Sequence, residues 1–431
     1  MLARSKLVLL LPLTGALSLE ACGDDGGDAS GSSGADESST AGPPATATED
    51  GSAGESTTGE PPTTGDAESS ADDSGTGGAS DSDGTTGEPS PYDGEPLPNA
   101  DDGVWTWVDF PEARCRDGSA TGIGVRYGAG TGFAFYFEGG GACFNTLTCG
   151  ANPSHFDAAN FNSVKQGGNG GLFNAANPEN PLADWTFIYV PYCTGDVHAG
   201  NRQDATLQGV VGPQQFVGYN NVGHFLNRVV PTFLGDVDHV LVTGQSAGGF
   251  GAAFNYDRIA EAFPNDKVTL LDDSGPPMSD EFMATCLQKQ WREAWGLNET
   301  MPADCANCFP EDGGGIVELG KYLGEKWPDQ RLGLISSLND ETIRFFFGFG
   351  QNDCQSLIPS SVPADTFAMG LADLRDNWLV EPDATWGSFF IPGSQHTWIA
   401  SNSYETAEVD GVKLIDWVRD LLAGTAADVA P

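Results

Sequence analysis

The chain has 431 residues, with 61 Asp and Glu against 19 Lys and Arg and a formal net charge of -42. So negative a chain is unsuited to nucleic acid, which needs clustered positive charge to displace phosphate counterions. No run of 18 or more apolar residues is present to form a transmembrane helix.

Residues 1–22 read as an export signal. Arg4 and Lys6 precede the apolar run Leu7 to Leu13, which continues to Leu19 and ends at Ala21-Cys22. Leu19-Glu20-Ala21-Cys22 resembles a lipobox, so Cys22 is the expected lipidation site, although Glu20 stands where a small residue is usual. Ordinary cleavage that releases a soluble protein is the alternative.

Residues 23–100 follow, with 18 acidic and no basic residues, one aromatic (Tyr92) and one large aliphatic (Leu97). Such a segment cannot bury enough apolar surface to offset its ordering entropy, and its charges repel one another. It is expected to be a flexible tether. Residues 101–431 carry 42 acidic against 17 basic residues, a net charge of -25. That length suits one large domain burying roughly three quarters of its unfolded surface.

Eight cysteines remain beyond Cys22, an even number that suits disulfides in an exported protein. Within 101–431, Gly122 to Gly128 looks like hairpin sequence rather than a phosphate loop, since it opens no helix. Strands are expected at 133–137, 185–190, 239–243, 268–271, 332–335 and 388–391, and helices at 221–233, 249–263 and 411–422. Apolar strands alternating with amphipathic helices predict an α/β fold with a doubly wound, mainly parallel sheet. The stretch 276–330, rich in Gly, Cys and Trp, reads as an irregular insertion. Its Cys305-Ala306-Asn307-Cys308 has the spacing of a metal or redox pair, but no second pair or nearby His completes a metal site, so a structural bridge is favoured.

Gly244-Gln245-Ser246-Ala247-Gly248 carries the chemistry. It follows the strand 239–243 and opens a helix, the context of a nucleophile elbow, in which a strained serine is lifted out of the sheet. Ser246 is therefore the expected nucleophile. A serine needs a base, and the tetrahedral oxyanion needs fixed donors. The loop Glu138-Gly139-Gly140-Gly141-Ala142-Cys143 follows a strand and offers unobstructed N–H groups beside that of Ala247.

Five histidines are available as the base. His239 lies in a strand, His224 in a helix and His155 in a polar loop. His396 follows the last strand, as the chain order Ser, Asp, His requires, and is preferred over His198, which precedes the serine. For the acid, Asp340 lies between Ser246 and His396 at a strand end. Helix capping is its competing role, and Asp272 and Asp273 are its rivals.

The ordered set Arg114-Cys115-Arg116-Asp117-Gly118, Glu138 to Cys143, Tyr192-Cys193, Gly244 to Gly249 and Asn339-Asp340-Glu341 resembles the pectin acetylesterase/Notum family of extracellular serine carboxylesterases. The likeness runs over about residues 105–420. It implies an α/β-hydrolase fold with a Ser246, Asp340, His396 triad and oxyanion donors at Gly140, Gly141 and Ala247. It also implies bridges Cys115 to Cys193 and Cys143 to Cys149, with no metal or organic cofactor. Ala142 stands where plant members carry Trp, and Tyr192 to Asp196 departs from their pattern. The expected activity is removal of acetyl groups from an acylated glycan or a small ester, with longer acyl chains as the alternative. The domain charge favours a neutral substrate over polygalacturonate. A catalytically idle surface-binding module is the reading from another class. A monomer is expected, exported, and attached to a membrane only through its N-terminal lipid.

Overall fold

The computed structural model describes residues 91–431 apart from 168, 357 and 381–384. The signal segment, Cys22 and residues 23–90 of the tether lie outside the described residues. In chain order the first elements are β1 (Trp105–Arg114), β2 (Ala120–Arg126), β3 (Gly132–Phe137), α1 (Thr146–Ala151), α2 (Ala158–Gly167) and β4 (Thr186–Val190). A small hairpin of β5 (Arg202–Ala205) and β6 (Gln214–Phe216) leads to α3 (Gly218–Phe233), β7 (His239–Gln245), α4 (Ala247–Ala262) and β8 (Lys267–Asp273). Then come α5 (Thr285–Trp295), α6 (Val317–Lys326), β9 (Arg331–Ser337), α7 (Glu341–Phe347), α8 (Ala364–Asp373) and β10 (Trp386–Ile391). The chain closes with α9 (Ser403–Thr406), the short pair β11 (Glu408–Val409) and β12 (Val412–Lys413), and α10 (Leu414–Ala423).

Eight strands form one sheet in the order β1-β2-β4-β3-β7-β8-β9-β10. The six from β4 to β10 run parallel, while β1 and β2 pair antiparallel at one edge, so the Gly122 region is indeed in a hairpin. The central strands are apolar on both faces because both faces are covered. On β3, Phe133, Phe135 and Phe137 point into a core with Phe225 of α3, Ile259 of α4 and Leu323 of α6. Ala134 and Tyr136 point to the other face, with Phe161 of α2 and Trp417 and Leu421 of α10. This period-two split places one α-layer on each side, and each buried Phe contributes roughly 1.5–3 kcal/mol.

Parallel strands bring their C-terminal ends to one edge, and the register aligns those ends. Phe137 pairs with Gly244, Gln245 with Asp273, and Ser337 with Ile391. The loops after β3, β4, β7, β8, β9 and β10 therefore emerge along the same rim, where open α/β sheets place their sites.

Two expectations need correction. Residues 91–100 dock on the domain instead of belonging to the tether. Leu97 is buried, its N–H donates to Thr232 Oγ1 at 2.7 Å, and Arg228 donates to the carbonyls of Glu95 and Pro96. The one large aliphatic side chain of the segment is the anchor that average composition hides. Residues 276–330 contribute no strand, yet they are not irregular throughout: they hold α5 and α6. Leu287, Trp291 and Trp295 recur at a four-residue spacing and form the buried stripe of α5.

All eight cysteines of the domain pair, as Cys115–Cys193, Cys143–Cys149, Cys286–Cys354 and Cys305–Cys308. The first two are the pairings that the family resemblance implies.

Candidate active site

Ser246 sits between β7 and α4 with φ 58° and ψ -122°, a conformation costing of order 1–3 kcal/mol for a residue with a side chain. The glycines around it are required by space. A Cβ on Gly244 would lie 2.3 Å from the Gly248 carbonyl oxygen, and one on Gly248 would lie 2.0 Å from that of Phe137. On Gly249 it would meet Asp272 Oδ1 at 2.2 Å. Any side chain here would drive strand and helix apart, so the pattern is a steric consequence of crossing α4 tightly over β3 and β7. Ser246 N–H donates to the Asp273 carbonyl at 2.7 Å, which fixes the turn.

The glycine loop after β3 lies against this turn. A Cβ on Gly139 would approach the Gln245 carbonyl oxygen at 2.6 Å and Ser246 Cβ at 3.1 Å. The loop is held by its carbonyls. Asn152 Nδ2 donates to Gly140 O at 2.7 Å, and Tyr192 Oη donates to Gly141 O at 2.8 Å. Gly141 has φ 78°. The Cys143–Cys149 bridge closes the loop from behind, and buried Arg116 donates to the carbonyls of Cys149 and Asn152. Among the described residues the N–H groups of Gly140, Gly141 and Ala247 have no protein acceptor. Ala247 is the first residue of α4, whose N–H is unpaired by helix geometry and lies at the positive end of the helix dipole.

Across the rim, His396 Nδ1 and Asp340 Oδ2 are 2.7 Å apart, and Asp340 is fully buried. A carboxylate can only accept, so Nδ1 carries the proton and Nε2 is left with its lone pair. That Nε2 is buried without a hydrogen-bond partner. Asp340 Oδ1 meanwhile accepts from Ile343 N–H at 2.9 Å, capping α7. Capping and partnering the histidine are thus both roles of this one carboxyl, through separate oxygens. The His396 loop is pinned by Asn339 N–H to Gly393 O at 3.0 Å and by Ser337 Oγ to Gln395 O at 2.5 Å.

The other candidates resolve into different roles. Burial pushes His198 down to about 4, so it is neutral, and its Nε2 donates to Glu138 O at 2.8 Å. It props the strand end that leads into the glycine loop. His239 is likewise pushed to about 4 by burial and contacts Thr269 Oγ1 at the opposite end of β7. His155 lies outside with Asp117 and Asp157, and His224 is within α3. Asp272 is buried, raised well above the carboxylate range by desolvation, and accepts from Gly275 N–H. Asp273 does not touch an imidazole nitrogen; its Oδ2 accepts the N–H groups of Trp398 and Ile399 at 2.7 and 2.9 Å.

Sequence reasoning missed Tyr192, Asn152 and Glu138 as supports of the glycine loop. Glu138 accepts Tyr192 N–H at 2.8 Å, and burial raises its carboxyl to about 7. The Gly-Gly-Gly run announced the loop, but no local signal named what holds it. Phe346, half-buried on α7, lies against Gly141, where a Cβ would meet its Cζ at 3.1 Å. Two arginines are engaged elsewhere. Arg126 is buried among Trp105, Phe187 and the Phe173 carbonyl, and Arg202 donates to the Glu293 carbonyl. Among the described residues no group of three or more His, Cys, Asp or Glu is placed to hold a metal ion.

Sheet order, crossing helices and rim loops together define an α/β-hydrolase. The pectinacetylesterase family model matches residues 104–311. Palmitoleoyl-protein carboxylesterase notum2 of Xenopus laevis is 29% identical over 153 residues, covering 34% of this chain and 30% of that protein. Palmitoleoyl-protein carboxylesterase NOTUM of Drosophila melanogaster is 25% identical over 215 residues, 46% of this chain and 32% of that protein. Pectin acetylesterase 5 of Arabidopsis thaliana is 24% identical over 169 residues, 38% and 39% of the two chains. The crystal structure of the Wnt deacylase Notum from Drosophila superposes with a TM-score of 0.54 at 18% identity, covering 75% of this chain and 95% of that one, and shares its fold. The chain is similar to the pectin acetylesterase/Notum family, whose model matches just under half of it. It spans about a third of the length of the curated relatives it matches.

Proposed function

We propose that the protein is an exported serine carboxylic ester hydrolase that removes short acyl groups, acetyl foremost, from a neutral acylated polysaccharide. The observation that carries this reading is the pairing of buried Asp340 with half-buried His396, 2.7 Å apart, on the same rim as the strained Ser246. In the proposed reaction His396 Nε2 takes the Ser246 proton as Oγ attacks the ester carbonyl, and Asp340 stabilises the imidazolium that forms. The N–H groups of Ala247, Gly140 and Gly141 receive the oxyanion, each worth about 10²–10³ in rate. His396 then protonates the leaving alkoxide, and water, activated by the same histidine, releases the acid from the acyl-enzyme.

The aromatic wall of Phe346 beside the glycine loop favours a small acyl group. Relatives named palmitoleoyl-protein carboxylesterases favour a longer one, which is the second reading. Four disulfides fit an oxidising compartment. With the leader sequence they support export, with Cys22 as a lipid anchor and the acidic segment as a tether.

The test is hydrolysis of p-nitrophenyl esters graded in chain length by the wild type and by Ser246→Ala. Wild-type rates should be highest for acetate, and the variant should lose about 10⁶ in kcat. Fastest turnover of long chains would install the second reading. Full activity in Ser246→Ala, or none in either protein, would overturn the esterase and favour a binding module.

A further inference from the structure

The geometry points to Asp273 as a positioning residue that clamps the His396 loop to the nucleophile turn, an inference that rests on the serine-esterase reading above. Asp273 ends β8, in register with Gln245 on one side and Ile335 on the other. It is fully buried. Its backbone carbonyl accepts Ser246 N–H at 2.7 Å. Its side chain reaches the other way, with Oδ2 accepting Trp398 N–H at 2.7 Å and Ile399 N–H at 2.9 Å, and Oδ1 accepting Ser274 Oγ–H at 3.0 Å. One residue therefore grips both position 246 and the backbone two and three residues beyond 396.

The clamp acts where the loop most needs one. Thr397, between His396 and the gripped amides, has φ 64°. A β-branched residue in the left-handed region persists only where its surroundings over-determine it. The two hydrogen bonds to a buried carboxyl supply that constraint, and bonds to a charged acceptor are about twice as strong as neutral ones. The ionisable groups around Asp273 are Asp272 beside it on the strand, the His396 imidazole, and Asp340 beyond that imidazole. Burial raises the Asp273 carboxyl to about 6, against the pull of Ile399 N–H, Trp398 N–H, Ser274 and His396.

Substitution separates the grip from the charge. In Asp273→Asn the side-chain oxygen can still accept both amides, while the new N–H group donates to Ser274 Oγ; the grip remains and the charge is lost. In Asp273→Ala both are lost. The experiment measures kcat, KM and the pH profile of kcat/KM on p-nitrophenyl acetate for the full chain and for Asp273→Ala, Asp273→Asn and Asp340→Asn. Asp273→Ala should lower kcat about 10²-fold, the effect of an ångström of misplacement, with KM little changed. Asp273→Asn should retain most of kcat and shift the acid limb to lower pH, because the carboxyl that takes up a proton at about 6, and weakens its grip on the two amides as it does so, is gone. Full kcat in Asp273→Ala overturns the clamp. So does Asp273→Asn as impaired as Asp340→Asn, which would make Asp273 the orienting acid, or an acid limb that does not move. If Asp273→Ala does not fold, Asp273→Asn alone decides by the same criteria. A wild type inactive on every ester would instead remove the esterase reading, and the clamp with it.

Discussion

The Ser246 side of the rim and its Asp340–His396 side are held by different forces. Around Ser246 the constraints are steric and covalent. Gly139, Gly244, Gly248 and Gly249 allow backbone approaches that no side chain permits, and Cys115–Cys193 and Cys143–Cys149 tie the flanking loops. Around Asp340 and His396 the constraints are mostly backbone hydrogen bonds, from Leu338, Asn339 and Glu341 to the β10 loop and from Trp398 and Ile399 to Asp273. Forces of the first kind dictate residue types at fixed spacing. Those of the second can be made by almost any sequence. The family match follows this division: it spans 104–311, with the serine and the glycine loop, and stops short of Asp340 and His396.

After the loss of Ser246 itself, the largest expected effect breaks the Asp340–His396 side. Asp340→Asn keeps the shape but can donate to Nδ1, presenting the wrong tautomer, and should lower kcat by about 10⁴. Its Oδ1 can still cap α7, so thermal unfolding should change little. Normal turnover in this variant would remove Asp340 from the mechanism.

The disulfides sharpen the other side. Cys115 and Cys193 are 78 residues apart, and replacing both with Ala should remove about 2–5 kcal/mol of stability. Cys143 and Cys149 are 6 apart, so their loss releases less chain entropy. It should instead lower kcat by loosening the glycine loop. Denaturant midpoints and kcat measured on both double variants check this contrast, and equal stability losses with full activity would contradict it.

The smallest effect tests how the glycine loop is supported. The Glu138 carboxyl is raised by burial from 4.5 to about 7, so the folded state holds an extra proton between those values. That contribution to stability is fully present below about 4.5 and is lost as pH rises through about 7, with an upper bound of about 3 kcal/mol. Glu138→Gln should therefore gain stability on the wild type between pH 5 and pH 8, read from urea midpoints. Parallel pH curves would show that Glu138 titrates normally.

The same division explains what was legible. Six central strands were readable because each is a short apolar run covered on both faces, and the strained turn at Ser246 because strand, GxSxG and helix occur together. Asp340 and His396 were reached by chain order. Asp273 could be seen only as an acid after a strand, because its partners lie 125 and 126 residues away. Helix α5 was hidden by the surrounding Gly and Cys, although Leu287, Trp291 and Trp295 already mark its buried face. Leu97 was averaged away in an acidic segment, where it joins Tyr92 and hydrogen bonds to α3 in docking residues 91–100.

The central claim is that Ser246 is the group that becomes acylated. Intact-mass and peptide mapping after treatment with a fluorophosphonate, which captures only an activated serine, tests it most directly. The account predicts one adduct, on the peptide containing Ser246, absent in Ser246→Ala and strongly slowed in Asp340→Asn. An unlabelled wild type, or an adduct on another residue, would contradict it.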